Sequence, residues 1–354
     1  MRKSVFTAVA INLSVFASSV AGAAPSQSQK PWEKIPGVTT HLRHVDVGGT
    51  RLLAAIALPV TGRGPLEPIL FTQWVSCGTV AYREGSGARE ILAALARETG
   101  RALVRVERFE CSELDYDTEL AHYVAAYQTL LKDPLLNPRR VHVYGSSLGS
   151  TTAPLLARAL EREGYDIGQV AIQGGGALTY LERMLIFDRI YLERRPKVVP
   201  RSVIHQELID RARFHLAYLV DGTHPDAIAR RSPRMAEIRK SVRGLGGKDH
   251  YGRPFAWHQQ AAKKNFLAAW AELEAEVLVI YNAFDQFEGL RGHAVVAETI
   301  NARRPGSAHL IVQEGVDHSN ARYSTAEAAY RGEGGEPAWR ETADHLVAWF
   351  RGRR

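Results

Sequence analysis

The chain most constrains itself at Gly145-Ser146-Ser147-Leu148-Gly149, which follows the apolar run Val141-His142-Val143-Tyr144 and precedes a helical pattern. A strand that turns at once into a helix around G-x-S-x-G must be sharply bent. The residues two before and two after the central serine crowd each other there, so both must be small. Gly145 and Gly149 meet that demand. The turn lifts the Ser147 hydroxyl above the sheet edge, at the positive end of the following helix. The backbone N–H of Leu148 then points toward a developing oxyanion. Ser146 has Tyr144 and Leu148 two residues either side, not glycines, and is not the candidate.

The pattern around this turn predicts an α/β chain. Strands are expected at residues 45–47 and 52–58, as a hairpin about Gly48-Gly49, and at 69–75, 102–108, 141–144, 170–173, 277–281 and 310–313. Helices are expected at 88–99, 118–131 (opened by Asp117), 148–163 and 336–351. The alternation calls for a mostly parallel sheet with helices on both faces, and the hairpin suits an edge. The 354 residues, 45% of them hydrophobic, suffice for a sizeable core. Residues 177–270 break the rhythm. They read as helices and loops only, at 178–194, 203–220, 226–242 and 255–273, and are taken as a helical cap inserted between strands 6 and 7 of the sheet. Residues 24–176 and 271–354 then form the core.

A serine hydroxyl needs a base to take its proton, and the base needs an acid to hold its tautomer. Strand 277–281 runs into Asn282-Ala283-Phe284-Asp285, and strand 310–313 into Glu314-Gly315-Val316-Asp317-His318. Ser147, Asp285 and His318 thus stand in the order serine, acid, histidine, each just after a strand. Glu288 is the alternative acid. Asp317, next to His318, is poorly placed for the role, because sequence neighbours seldom face each other. The second oxyanion donor is expected from the loop Gln73-Trp74-Val75-Ser76-Cys77-Gly78, at the N–H of Val75 or, alternatively, of Trp74.

These segments, with Arg105-Val106-Glu107 and Tyr251-Gly252-Arg253-Pro254, resemble the α/β-hydrolase superfamily from about residue 50 to the C-terminus. Within the superfamily the chain most resembles secreted bacterial esterases and serine aminopeptidase-like hydrolases. The resemblance implies an α/β-hydrolase fold and a serine hydrolase that cleaves a carboxylic ester through an acyl-enzyme. A peptidase or amidase on the same triad is the alternative, ahead of an acyltransferase or a non-catalytic binding protein. In the strand order of that fold, strands 69–75 and 102–108 are parallel neighbours. Cys77 and Cys111 then leave adjacent strand ends, within reach of a disulfide worth about 3–4 kcal/mol. Two free buried thiols are the other option.

Residues 1–23 read as a signal peptide. Arg2 and Lys3 precede an uncharged apolar stretch at 5–16, and Ala21-Gly22-Ala23 fits the cleavage pattern. A secreted or periplasmic protein with no integral span after cleavage near Ala23 is expected. Residues 177–270 hold 18 lysines and arginines against 9 aspartates and glutamates, more than the chain's whole formal excess of +7. Such a segment suits an anionic substrate, or else is a solvated helical face. The expected partner is a small-molecule ester or short peptide, and nucleic acid is not expected. No H-E-x-x-H, zinc-spaced Cys/His cluster, Walker A or G-x-G-x-x-G after a strand occurs. No metal or cofactor is expected.

Overall fold

A strand buried on both faces carries apolar residues at every position, whereas an edge strand alternates. Both kinds are present in the computed structural model, which describes residues 33–73, 81, 84–107, 113–176, 179–194 and 200–352. β1 (Val38–Val47) is half-buried or exposed over most of its length and alternates at its end, where Val45 and Val47 are buried and His44 and Asp46 exposed. β3 (Pro68–Thr72), β4 (Ala102–Val106) and β6 (Ile167–Gln173) are buried throughout. With β2 (Thr50–Pro59), β5 (Val141–Ser146), β9 (Glu276–Asn282) and β10 (Ala308–Gln313) they form one eight-stranded sheet in the order β1-β2-β4-β3-β5-β6-β9-β10.

β1 and β2 pair as an antiparallel hairpin at the edge, and β2 meets β4 antiparallel. Every other pairing in the sheet is parallel. After β3 the chain steps outward to β4, and β5 returns to the other side of β3. The C-terminal ends of β3 and β5 therefore flank the point where strand order reverses, the place where such sheets leave a crevice.

Each face of the sheet has its own apolar layer. On one side, α2 (Tyr116–Leu130), α3 (Gly149–Arg162) and α10 (Leu290–Arg303) contribute Tyr127, Leu156 and Val296 to a core with Val104, Val143 and Val279. On the other, α1 (Gly87–Glu98) and α12 (Trp339–Phe350) bring Ile91, Leu95, Leu346 and Phe350 against Ile69, Phe71 and Ile280. The helix starts follow local chemistry. Ser86 accepts the Arg89 N–H ahead of α1, and Asp115 accepts the Thr118 N–H ahead of α2. The cap of α2 is thus Asp115 rather than Asp117, because the helix begins two residues earlier than its apolar periodicity suggests.

The segment between β6 and β9 is more broken than the sequence pattern predicts. It contains α4 (Tyr180–Arg194), α5 (Arg201–His215), a π-helical turn (Leu216–Val220), α6 (Pro225–Ala229) and α7 (Pro233–Ser241). A short hairpin follows, β7 (Asp249–His250) with β8 (Arg253–Pro254), then α8 (Phe255–Ala261) and α9 (Phe266–Glu272). The single helix expected at 226–242 is two, since Pro233 starts a new helix under a Ser232 cap. The helix expected at 255–273 is also two, with Asn265 capping the second. The hairpin corrects the reading of helices and loops only. Near the C-terminus, α11 (Ala326–Arg331) and a small two-stranded pairing of β11 (Ala321–Arg322) with β12 (Glu336–Pro337) precede α12.

The inserted helices have a core of their own. Phe214, Tyr218, Ile238, Trp257 and Phe266 pack with Tyr116 of α2 and with Leu148, beside the G-x-S-x-G turn. A buried ion pair adds to this seam: Glu119 of α2 meets Arg253 and accepts the Trp257 indole N–H at 2.6 Å. α9 joins the two layers, with Phe266 in this core and Trp270 in the core of the sheet. Among the described residues no helix is long and apolar enough to cross a membrane.

Candidate active site

The turn after β5 holds Ser147 at φ 53°, a left-handed conformation that costs a non-glycine residue about 1–2 kcal/mol. Several bonds hold it there. The Ser147 N–H donates to Gln173 O at 2.8 Å, the Ser150 N–H to Ser147 O at 2.9 Å, and Thr72 Oγ1 to Gly149 O at 2.8 Å. The glycines are steric necessities. A Cβ on Gly149 would lie 1.9 Å from Thr72 O, and one on Gly145 would lie 2.6 Å from Gly149 O. β3 and the start of α3 touch because Gly149 has no side chain, and β5 turns tightly into α3 because Gly145 has none.

The structure brings Ser147, His318 and Asp285 together. Ser147 is half-buried, and its Oγ lies 3.0 Å from His318 Nε2. His318 Nδ1 lies 2.7 Å from Asp285 Oδ2. A carboxylate only accepts, so Nδ1 carries the ring proton and donates it to Asp285. Nε2 is left as an acceptor facing the serine hydroxyl. Asp285 is fully buried, and its other oxygen accepts the N–H groups of Phe287 (2.7 Å) and Glu288 (3.0 Å). Gly174, at the end of β6, leaves room for the imidazole: a Cβ there would come 3.0 Å from His318 Cε1.

Electrostatics follow from this packing. Burial pushes the Asp285 carboxyl up, but the charge and hydrogen bond of His318 and the Phe287 N–H outweigh it and hold the group below its ordinary value. Burial pulls His318 down, yet the Asp285 charge and hydrogen bond, helped by Glu288, raise it above the ordinary histidine value. Leu148 stands just ahead of α3, where backbone N–H groups have no partner within the helix. Val75 and Trp74, the candidates for the second donor, lie outside the described residues, as do Cys77 and Cys111. Gln73 is buried at the start of that loop, and its amide donates to Val106 O and toward Tyr123 Oη, both at 3.2 Å.

Two further charged residues act on the histidine electrostatically. Glu288 is buried, and Arg183 Nε of α4 sits 2.8 Å from its Oε1 in an ion pair. The contact is not aligned as a hydrogen bond, so Glu288 Oε1 is left without a hydrogen-bond partner among the described residues, and Arg183 Nη1 has none there either. Burial pushes Glu288 up to about 7, with Asp285 adding to the shift and Arg183 opposing it. Glu288 thus faces the insertion rather than His318 Nδ1. Sequence order alone allowed either acid. Arg183 carried no sequence signal, since its pairing depends on where α4 docks. Among the described residues, no three His, Cys, Asp or Glu side chains are grouped to hold a metal ion.

No protein-family profile matches the chain, and no curated protein matches it in sequence. Solved structures do match in fold. Carboxyl esterase 2 from the mycorrhizal fungus Tuber melanosporum superposes with a TM-score of 0.57 at 14% identity, over 91% of this chain and 89% of that one. Est1E from Butyrivibrio proteoclasticus gives 0.53 at 14% identity, over 87% and 99%. An esterase from Pyrobaculum calidifontis gives 0.51 at 14% identity, over 89% and 85%. The chain has the α/β-hydrolase fold, as its sequence resemblance implied.

Proposed function

We propose that the protein is a serine hydrolase that cleaves a carboxylic ester through an acyl-enzyme. The observation that carries this is the continuous relay from Ser147 Oγ through His318 to the buried Asp285, at 3.0 Å and 2.7 Å. The esterases that share its fold support ester cleavage over other chemistries.

In this mechanism Ser147 Oγ attacks the ester carbonyl carbon while its proton passes to His318 Nε2. The carbonyl π pair moves onto oxygen, where the N–H groups of Leu148 and Val75 hold the charge. Collapse breaks the bond to the alcohol, which leaves with the proton from His318. Water then attacks the acyl-Ser147 carbonyl, giving its proton to His318, and the acid departs as Ser147 recovers that proton. Asp285 keeps Nδ1 protonated and stabilises the imidazolium formed in each half. The inserted helices cover the site and set acyl specificity.

Export belongs to the same proposal: residues 1–23 are removed near Ala23, and Cys77 pairs with Cys111 in the oxidising compartment. N-terminal sequencing of the mature protein, and its mass after thiol alkylation with and without reduction, check these two points.

The direct test compares the wild type with Ser147→Ala on p-nitrophenyl esters of increasing acyl length. Turnover that disappears in the variant supports the reading, and the length profile sizes the acyl pocket. Absence of ester turnover from a wild type that a fluorophosphonate still labels would refute it and move the triad to amide substrates.

A further inference from the structure

Phe287 lies two residues after Asp285, and its ring meets His318 edge-on with centroids 4.8 Å apart. It stacks on Phe187 of α4, at 5.4 Å and 5° between planes. The guanidinium of Arg243 lies over both rings, 5.2 Å from the centroid of Phe287 and 5.9 Å from that of Phe187. Two contacts therefore connect an exposed cation to the histidine beside Ser147.

Arg243 makes no ion pair among the described residues, and the carboxylates of the neighbourhood are engaged elsewhere. Glu288 contacts Arg183, Asp188 holds both Arg211 and His215, and Asp249 accepts the Gly252 N–H at 2.9 Å within its own turn. Other arginines of the insertion have partners: Arg234 with Asp210, Arg239 with Asp226, Arg253 with Glu119.

The backbone beneath Arg243 is firmly built. His250 Nε2 donates to Arg243 O at 3.1 Å, and the Tyr251 N–H donates to Gly244 O at 2.8 Å. Arg239 Nη2 donates to Gly246 O at 2.7 Å. Tyr251 is held at φ 54°, with its ring against Gly244, where a Cβ would come within 2.3 Å of it. Strained backbone of this kind persists only where its surroundings over-determine it, commonly at ligand sites. The Tyr251 phenol is raised by burial while the Arg243 and Arg183 charges both pull it back, so the two cations act on one region.

A guanidinium lying on aromatic faces is weakly hydrated, and its fixed fork of N–H donors suits a carboxylate. We propose that Arg243 receives an anionic group carried by the ester substrate, while Phe187 and Phe287 hold the apolar span between that anion and the carbonyl at Ser147. The proposal rests on the esterase reading above and assigns its substrate class: esters bearing a carboxylate. The anion can sit on the acyl half or on the alcohol half, and two matched pairs of esters separate these. For the acyl half the pair is p-nitrophenyl hemiglutarate and p-nitrophenyl pentanoate. For the alcohol half it is 4-acetoxyphenylacetic acid and its methyl ester.

The ratio of kcat/KM, anionic over neutral, is measured for each pair at low salt in the wild type, Arg243→Gln and Arg243→Glu. One pair is expected to favour the anion by about 10- to 100-fold, the range for a hydrogen-bonded charge. The preference resides in KM, falls in Arg243→Gln, reverses in Arg243→Glu, and weakens as salt rises. Arg243 is exposed, so each substitution changes only its cover over Phe187 and Phe287, and circular dichroism checks that the fold is kept. A wild-type ratio near one in both pairs overturns the proposal, and so does a preference that survives unchanged in Arg243→Gln. Absence of turnover on all four esters in the wild type overturns the esterase reading itself, and the proposal with it.

Discussion

Asp285→Asn isolates the part of the relay that depends on which ring nitrogen carries the proton. In the wild type one Asp285 oxygen accepts the Phe287 and Glu288 N–H groups while the other accepts from His318 Nδ1. An asparagine has a single oxygen. Turning its NH2 toward the two backbone donors would set donor against donor in a fully buried site, so the oxygen stays with them. The NH2 then faces Nδ1, which must become the acceptor, and the ring proton moves to Nε2. That nitrogen lies 3.0 Å from Ser147 Oγ and can no longer take its proton. The imidazolium formed during attack also loses its counter-charge. Together these effects should lower kcat by about 10⁴-fold, or about 5.4 kcal/mol at 1.36 kcal/mol per tenfold. KM should change little, because Asp285 is buried behind the histidine. The assay is steady-state hydrolysis of p-nitrophenyl acetate, with circular dichroism to confirm an unchanged fold. A folded Asp285→Asn variant that loses less than about tenfold would refute the reasoning. Glu288 would then be the acid to test by Glu288→Gln.

Activity needs neutral His318, whose ordinary value near 6.5 is raised here by Asp285 against the pull of burial. Wild-type kcat/KM should therefore rise with pH through a midpoint above about 6.5, and a pH–rate profile with a midpoint below that value would contradict the assignment. Gly149→Ala drives a methyl group into Thr72 O and should cost about 3 kcal/mol or more of stability. A wild-type melting temperature in that variant would show that β3 and α3 do not meet as described. Glu119→Ala removes the carboxylate facing the buried Arg253 guanidinium and should destabilise the fold by about 3–5 kcal/mol in urea titration. The loss should loosen the inserted helices first, seen as faster proteolysis between β6 and β9.

What the sequence determined by itself is whatever rests on neighbours along the chain. The G-x-S-x-G turn is legible because Gly145 meets Gly149 within five residues, although the closest crowding of Gly149, against Thr72 of β3, is tertiary. The buried runs of β3, β6 and β9 imply a sheet covered on both faces, and the order of elements implies parallel pairing. Even so, Ser232-Pro233 was an available sign that the region 226–242 is two helices, and apolar periodicity masked it. Tertiary structure alone decided what depends on separate elements meeting. Asp285 and Glu288 are three residues apart in one loop, and only the docking of His318 on one side and Arg183 on the other gives them different neighbours. Arg243 is one basic residue among many until α4 and the loop after β9 bring Phe187 and Phe287 beneath it. Local patterns are read from backbone geometry within a few residues. A side chain's partner across the molecule is set by how whole layers pack, and no single stretch of sequence contains that information.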